Sequence, residues 1–173
     1  TKAIMNEYPT MNIVGECWFS TPQEIAYWEG DANNRDGYSS YLTNVMDFSL
    51  QEAFGRAGKN DGQPGWGEGM FQIYKSISLD FIYSNPFELM IFSDNHDTNR
   101  FSEVVKGDKK KFKMMLTMLA TLRGIPQLYY GTEIMMKTED GKLGHGEERM
   151  GMIKKERFTE NQKEIFNYTS ELF

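Results

Sequence analysis

Two short stretches place ionisable side chains where an apolar run stops. Leu89-Met90-Ile91-Phe92 leads into Ser93-Asp94-Asn95-His96-Asp97-Thr98-Asn99-Arg100, and Met11-Asn12-Ile13-Val14 leads into Gly15-Glu16-Cys17-Trp18. An apolar run ending in a polar burst reads as a buried strand whose C-terminal tip opens into a site. One carboxylate at each of two strand tips, Glu16 and Asp97, suits acid–base work of the kind carbohydrate chemistry needs. His96, one of only two histidines in the chain, adds a further hydrogen-bonding group at the second tip.

Composition narrows the classes. The 173 residues, 39% hydrophobic and 25% charged, fit one ordinary soluble domain or a piece of a larger one. Net charge is −6, and the only basic run is Lys109-Lys110-Lys111, which reads as a solvated helix start. A basic face able to replace phosphate counterions is therefore not expected, and nucleic acid is excluded as a partner. The single cysteine, Cys17, forbids an internal disulfide framework and any cysteine-based metal site. His145 has no neighbouring ligands and reads as a loop residue, so no metal is expected. No apolar stretch is long enough to cross a bilayer. Aromatic residues, at 14%, would either fill a core or stack on the C–H faces of sugars.

The elements that must carry these residues alternate. Thr1 to Tyr8 reads as the last turns of a helix ended by Pro9, and strands are expected at Met11–Trp18, Asn44–Phe48, Leu89–Asp94 and Ile125–Glu133. Thr21-Pro22-Gln23-Glu24 is a helix-start signature. Helical patterns cover Leu50–Ala57 and Met70–Tyr83, with a loop at Gly58–Gly67 between them. Asp108 opens a helix whose buried face is Phe112, Met115, Leu116, Leu119 and Leu122, and Gly124 closes it. Thr159 and Gln162 form the capping box of a last helix that buries Ile165, Phe166, Thr169 and Leu172. Four strands separated by helices imply βαβ units and a parallel sheet, with Glu16, Asp47, His96, Asp97 and Glu133 at strand C-terminal ends. No glycine-rich phosphate fingerprint follows any strand, which disfavours a nucleotide fold. The architecture is α/β, four β/α units of an eight-unit barrel.

In order and at fitting spacing, Val14-Gly15-Glu16-Cys17-Trp18, Ser93-Asp94-Asn95-His96-Asp97-Thr98 and Gly124-Ile125-Pro126-Gln127-Leu128-Tyr129-Tyr130-Gly131-Thr132-Glu133 resemble the α-amylase family of glycoside hydrolases. The neopullulanase and cyclomaltodextrinase branch is the nearest. The resemblance implies that residues 1–173 are one partial catalytic domain, strands five to eight of a TIM-type (β/α)8 barrel, truncated at both ends. It implies retaining hydrolysis of α-glucans, with Glu16 as general acid/base and Asp97 as the third carboxylate, which favours ring distortion toward the transition state. His96, Asn95 and Trp18 become substrate-binding residues, Trp18 being equally suited to rim packing. Tyr129, Tyr130, Glu133 and Asp47 are expected to serve structure.

The family's nucleophile, an Asp at the tip of strand four preceded two residues earlier by an Arg, has no counterpart in this sequence. The chain alone is accordingly expected to be inactive, with no cofactor; calcium would bind its parent through regions outside it. Its partner is an α-glucan, and open barrel edges would allow self-association. The parent would be soluble, in the cytoplasm or periplasm or secreted. A shorter passage through Arg149-Met150-Gly151-Met152 to the last helix departs from the family pattern. Two rivals stand beside this reading. One is a non-catalytic glucan-binding or scaffold protein on an amylase-like barrel. The other is a metal-dependent hydrolase using Glu16, His96 and Asp97 as ligands, disfavoured because adjacent side chains at a strand tip converge poorly on one ion.

Overall fold

The computed structural model describes residues 1–59, 67–138 and 149–173. His145 and most of the Gly58–Gly67 loop lie outside the described residues. Four short strands form, β1 (Val14–Gly15), β2 (Asn44–Val45), β3 (Met90–Phe92) and β4 (Ile125–Gln127). β1 pairs with β2 and β3 with β4, both in parallel, with Val14 opposite Asn44 and Phe92 opposite Gln127. A parallel bridge between Met46 and Met90 joins the two pairs. Neighbours in space are thus neighbours in sequence, β1-β2-β3-β4, and all tips point one way. This is the arrangement that four consecutive β/α units produce.

Every strand is shorter than its apolar run suggested. β2 stops because Asp47 turns the chain straight into a helix, its Oδ1 accepting from the Leu50 N–H at 2.9 Å. β4 ends at Gln127, where its pairing with β3 ends, and Gly131, at φ +87°, then turns the chain into a 3-10 helix over Thr132–Ile134. Pro126 sits within β4 rather than at its start, tolerated because β4 is an edge strand among the described residues.

The helices are α1 (Lys2–Glu7), α2 (Pro22–Ala26), α3 (Phe48–Lys59), α4 (Phe71–Ile77), α5 (Phe101–Val104), α6 (Lys109–Thr121) and α7 (Glu160–Leu172). The caps fall where expected: Thr21 accepts from Glu24, Asp108 from Lys110 and Lys111, and Thr159 with Gln162 makes a reciprocal capping box. The Met70–Tyr83 pattern divides into α4 and a 3-10 turn at Asp80–Ile82, and α5 was not foreseen. α6 ends at Thr121, three residues before Gly124. Gly124 instead makes the return into β4, at φ +99°, where a Cβ would lie 2.7 Å from the Leu89 carbonyl oxygen and 2.8 Å from Ile91. Only glycine fits this approach of backbone to backbone.

One core lies between the sheet and helices α3 to α7, centred on Leu50, Phe54, Ile91, Phe112, Leu116 and Ile165. A second joins Cys17, Ile25, Val45, Phe48, Leu89 and Phe92. Of the faces expected to be buried, Phe112, Met115, Leu116 and Leu119 are nearly or fully enclosed, as is Ile165. Leu122, Phe166 and Leu172 are only partly covered.

A buried ionic cluster fastens the far side. Arg123 donates to Asp47 Oδ2 at 2.7 Å and to both oxygens of Asp80 at 2.6 and 2.9 Å. Burial pushes the Asp47 carboxyl up, and the Arg123 guanidinium and the Leu50 N–H pull it part of the way back. Asp47 is thus a structural residue, as expected.

On the surface, Glu164 of α7 receives Lys109 and Lys113 of α6 at 2.6 and 2.7 Å. Hydrogen bonds from these two lysines hold its carboxyl down from 4.5 to about 2. A depressed carboxyl contributes stability that is present above its unfolded pKa and lost as pH falls through the folded one. The stability difference between the wild type and Glu164→Gln should therefore be constant above about pH 5 and vanish toward about pH 2. Urea unfolding at stepped pH reads it; a difference unchanged across that window would rule the clamp out.

Candidate active site

The chain leaves β3 through Ser93 and Asp94, and Asp94 anchors the turn beyond the strand. Fully enclosed, its carboxylate accepts from the Phe101 N–H at 3.0 Å, the Thr132 hydroxyl at 2.9 Å and the Ser93 hydroxyl at 3.0 Å. Burial pushes this carboxyl up, while the Phe101 N–H and the Arg100 charge oppose the shift. One side chain thus starts α5 and ties the β3 tip to the loop after β4.

Within this bracket Asn95 closes a tight turn. Its Oδ1 accepts from the N–H groups of Asp97 at 2.9 Å and Thr98 at 2.8 Å, and its own N–H donates to the Thr98 hydroxyl at 2.9 Å. Asn95 is 1% exposed. Its oxygen is taken up by the turn, and its Nδ2 is buried with no hydrogen-bond partner among the described residues.

The turn presents Asp97. His96 Nε2 lies 3.1 Å from Asp97 Oδ2, and Arg149 Nη2 lies 2.6 Å from Oδ1. Both carboxylate oxygens therefore face a basic group, one adjacent in sequence and one 52 residues away. The His96 ring stands 6.4 Å from that of Tyr129, and the buried Arg100 guanidinium lies 4.2 Å from the centre of the Tyr129 ring. Arg100 also donates to the Tyr130 carbonyl at 2.6 Å, and the Tyr130 hydroxyl donates to the Met150 carbonyl at 2.6 Å. Tyr129 and Tyr130, expected to serve structure, form the wall behind His96.

Glu16 directly follows β1 and is exposed. β1 and β3 flank β2, so the two tips open on the same end of the sheet, separated sideways by two strand spacings, about 10 Å. Cys17, beside it, is no competing nucleophile: burial, with Glu16 adding, pushes its thiol up to about 11. Trp18 stacks on Phe48 at 4.7 Å and 15°, and Phe48 meets Phe92 edge-on at 5.0 Å. Trp18 nevertheless remains 46% exposed. Trp18 and Asp97 line one groove of about 450 Å³ together with Gln51, Glu52, Arg56 and Asn99. Among the described residues, no three His, Cys, Asp or Glu side chains gather so as to hold a metal ion, the trio Glu16, His96 and Asp97 included.

Arg149 is the residue that sequence reasoning missed. It opens the passage Arg149 to Met152 that was expected to differ from the family pattern, and no local signal ties it to Asp97.

The chain is similar to known proteins in sequence and in fold. The chain is 32% identical over 138 residues to the cyclomaltodextrin glucanotransferase of Geobacillus stearothermophilus, a match covering 78% of this chain and 18% of that enzyme. It is similar to a crystal structure of Anoxybacillus α-amylase, with a TM-score of 0.72 and 26% identity over 99% of this chain and 34% of that one. The α-amylase of Geobacillus thermoleovorans, solved with acarbose, shares the fold at a TM-score of 0.73 and 22% identity, over 99% of this chain and 36% of that one. The chain thus spans about a fifth of its curated relative and about a third of these solved structures. With residues 1–171 matching the alpha amylase catalytic domain model, the chain belongs to the α-amylase catalytic-domain family.

Proposed function

We propose that residues 1–173 supply strands five to eight of an amylase-type (β/α)8 barrel, the C-terminal half of a domain that hydrolyses α-glucosidic bonds with retention. The observation that carries this reading is the pairing of two acidic tips on one end of a sequentially ordered parallel sheet: Glu16 after β1, and Asp97, gripped by His96 and Arg149, beyond β3. Glu16 acts as general acid toward the leaving glycosidic oxygen and then as base toward water. Asp97 receives sugar hydroxyls as the ring flattens toward an oxocarbenium ion. Asn95 acts by fixing the Asp97 backbone, and Trp18 by offering a ring along the groove.

The nucleophile comes from outside these residues. Positioning by Asp97 and His96 does not replace covalent catalysis, which divides one difficult displacement into two easier steps. The outer edges of β1 and β4, without strand partners among the described residues, are where the complementary half, or a second copy, would pair. The substrates are α-1,4-glucans: starch, pullulan, cyclomaltodextrin or maltooligosaccharides.

The test is an assay of the purified chain on cyclomaltodextrin and pullulan, alone and fused to the missing four β/α units of the Geobacillus stearothermophilus relative. The chain alone is expected to turn over neither substrate. The fusion is expected to turn over at least one, and Glu16→Gln to lower that rate about 1,000-fold. Turnover by the chain alone that disappears in Glu16→Gln would mean that a second carboxylate here completes the site, and the proposed division of roles would fall.

A further inference from the structure

The loop between α2 and β2 carries an Asp-Gly step, Asp36-Gly37, with both residues exposed. Such a step is the readiest of the Asp-Xaa steps to cyclise, because glycine puts no side chain between its amide nitrogen and the aspartate carboxyl. Gly37 sits at φ +75°, and a Cβ built on it would meet nothing within 4 Å, so no neighbour shields it. The sequence holds two further Asp-Gly steps, Asp61-Gly62 and Asp140-Gly141, both outside the described residues.

Every group that cyclisation needs is nevertheless engaged. The Gly37 N–H donates to the Asn34 carbonyl at 2.9 Å and closes a turn. Asp36 Oδ1 accepts from the Tyr38 N–H at 3.0 Å, and Oδ2 accepts from the Tyr27 hydroxyl at 2.9 Å. These two donors, the Tyr38 N–H foremost, hold the Asp36 carboxyl below the usual carboxylate range. Cyclisation expels a carboxyl oxygen as water, which requires the protonated form that they disfavour.

A second set of contacts holds the donors themselves. The Asn34 amide donates to the carbonyls of Tyr27 at 2.8 Å and Tyr38 at 3.0 Å. The Tyr27 and Tyr38 rings stack with centroids 5.3 Å apart and planes 5° from parallel. Little of this builds a core, since Tyr38 is 41% exposed and Asp36 stands in the open.

We propose that Asp36-Gly37 is a site of spontaneous isoaspartate formation, held in check by the Tyr27 hydroxyl, the Tyr38 N–H and the Asn34 side chain. In the reaction the Gly37 nitrogen attacks Asp36 Cγ. The N–Cγ bond forms, a Cγ–O bond breaks, and that oxygen leaves as water with the carboxyl proton and the amide proton. A second water then opens the succinimide at the Asp36 α-carbonyl, breaking its bond to the Gly37 nitrogen. The main chain afterwards runs through Cγ, and the balance needs no co-reactant but water. An intramolecular attack requires the reacting atoms at about 3–3.5 Å and in line. With one oxygen turned to the Tyr38 N–H and the other to Tyr27, the carboxyl is not free to swing into that approach. The product lengthens the main chain by one methylene and removes the carboxylate from its two donors, so the Tyr27–Tyr38 lock is lost with it. This holds whatever the strand tips bind.

The experiment is incubation of the purified chain at about pH 6, where carboxylates outnumber their protonated forms. Isoaspartate at residue 36 is followed by mass spectrometry with electron-transfer fragmentation, and a synthetic peptide of residues 31–41 serves as the unlocked reference. The chain is expected to isomerise there about tenfold more slowly than the peptide. Tyr27→Phe keeps the ring and removes only the hydroxyl, and should quicken the reaction about fivefold; Asn34→Ala should quicken it about tenfold. Asp61-Gly62 and Asp140-Gly141 report in the same samples and should keep their wild-type rates in both variants. A chain as fast as the peptide, or both variants at the wild-type rate, would overturn the inference. Equal quickening at all three steps would overturn it too, because the cause would then be loss of the whole fold rather than of this lock.

Discussion

Arg123→Leu is expected to destabilise the fold by about 3–5 kcal/mol, the loss typical when one partner of a buried ion pair is removed. Asp47 has no exposed surface, and Arg123 is its only cationic partner within hydrogen-bonding distance among the described residues. Without the guanidinium, Asp47 is left facing Asp80, whose charge already raises the proton affinity of Asp47. Burial sets the sign of the pH dependence. It raises the folded pKa of Asp47 above its unfolded value, and losing Arg123 raises it further. The folded variant then binds a proton that the unfolded chain gives up, so its stability falls as pH rises through the carboxylate range and recovers on acidification. Urea unfolding at pH 7 and pH 5 measures both effects. Adding Asp47→Asn, which removes the charge but keeps an oxygen for the Leu50 N–H, should restore part of the loss. A variant as stable as wild type at pH 7 would show the cluster to be energetically neutral.

Asp94→Ala is expected to act as strongly, about 3–5 kcal/mol, because it withdraws a buried charge from Arg100 and an acceptor from three donors. The Phe101 N–H, the Thr132 hydroxyl and the Ser93 hydroxyl all end on that carboxylate. Its second consequence is local. The turn that carries His96 and Asp97 hangs between Asp94 and the start of α5, so amide exchange at Asp97 and Thr98, whose N–H groups bond to Asn95, should quicken more than global unfolding explains. Asp94→Asn keeps the shape and one acceptor oxygen and should cost about 1–2 kcal/mol. Equal losses in the two variants would mean that shape, not the charge and its acceptors, holds the turn.

How far the sequence carries the fold differs by scale. Helix starts are local chemistry: a Thr, Asp or Ser-type oxygen reaches an N–H two or three residues on, so Thr21, Asp108 and Thr159 could be read as caps directly. The buried face of α6 is equally legible, because a period of 3.6 residues depends on nothing outside the helix. Strand length is not local. The run Ile125–Glu133 is apolar enough to extend, yet the ladder stops at Gln127, where pairing with β3 ends and Gly131 takes the chain into a 3-10 turn.

The same division runs through the site. From the sequence by itself came the alternation of β/α units, the placing of Glu16, His96 and Asp97 just past apolar runs, and the membership of the α-amylase family that those motifs carry. Tertiary structure alone decided what surrounds them. Arg149 reaches Asp97 across 52 residues, and Arg123 reaches Asp47 across 76. Asn95, which looked like a ligand-contacting residue of its motif, uses its oxygen to hold the turn, and Asp94 emerges as the anchor beneath it. The physical reason is that a motif encodes which groups a strand tip presents. Their partners are fixed only when the sheet is assembled and desolvation obliges each buried charge to find an opposite one.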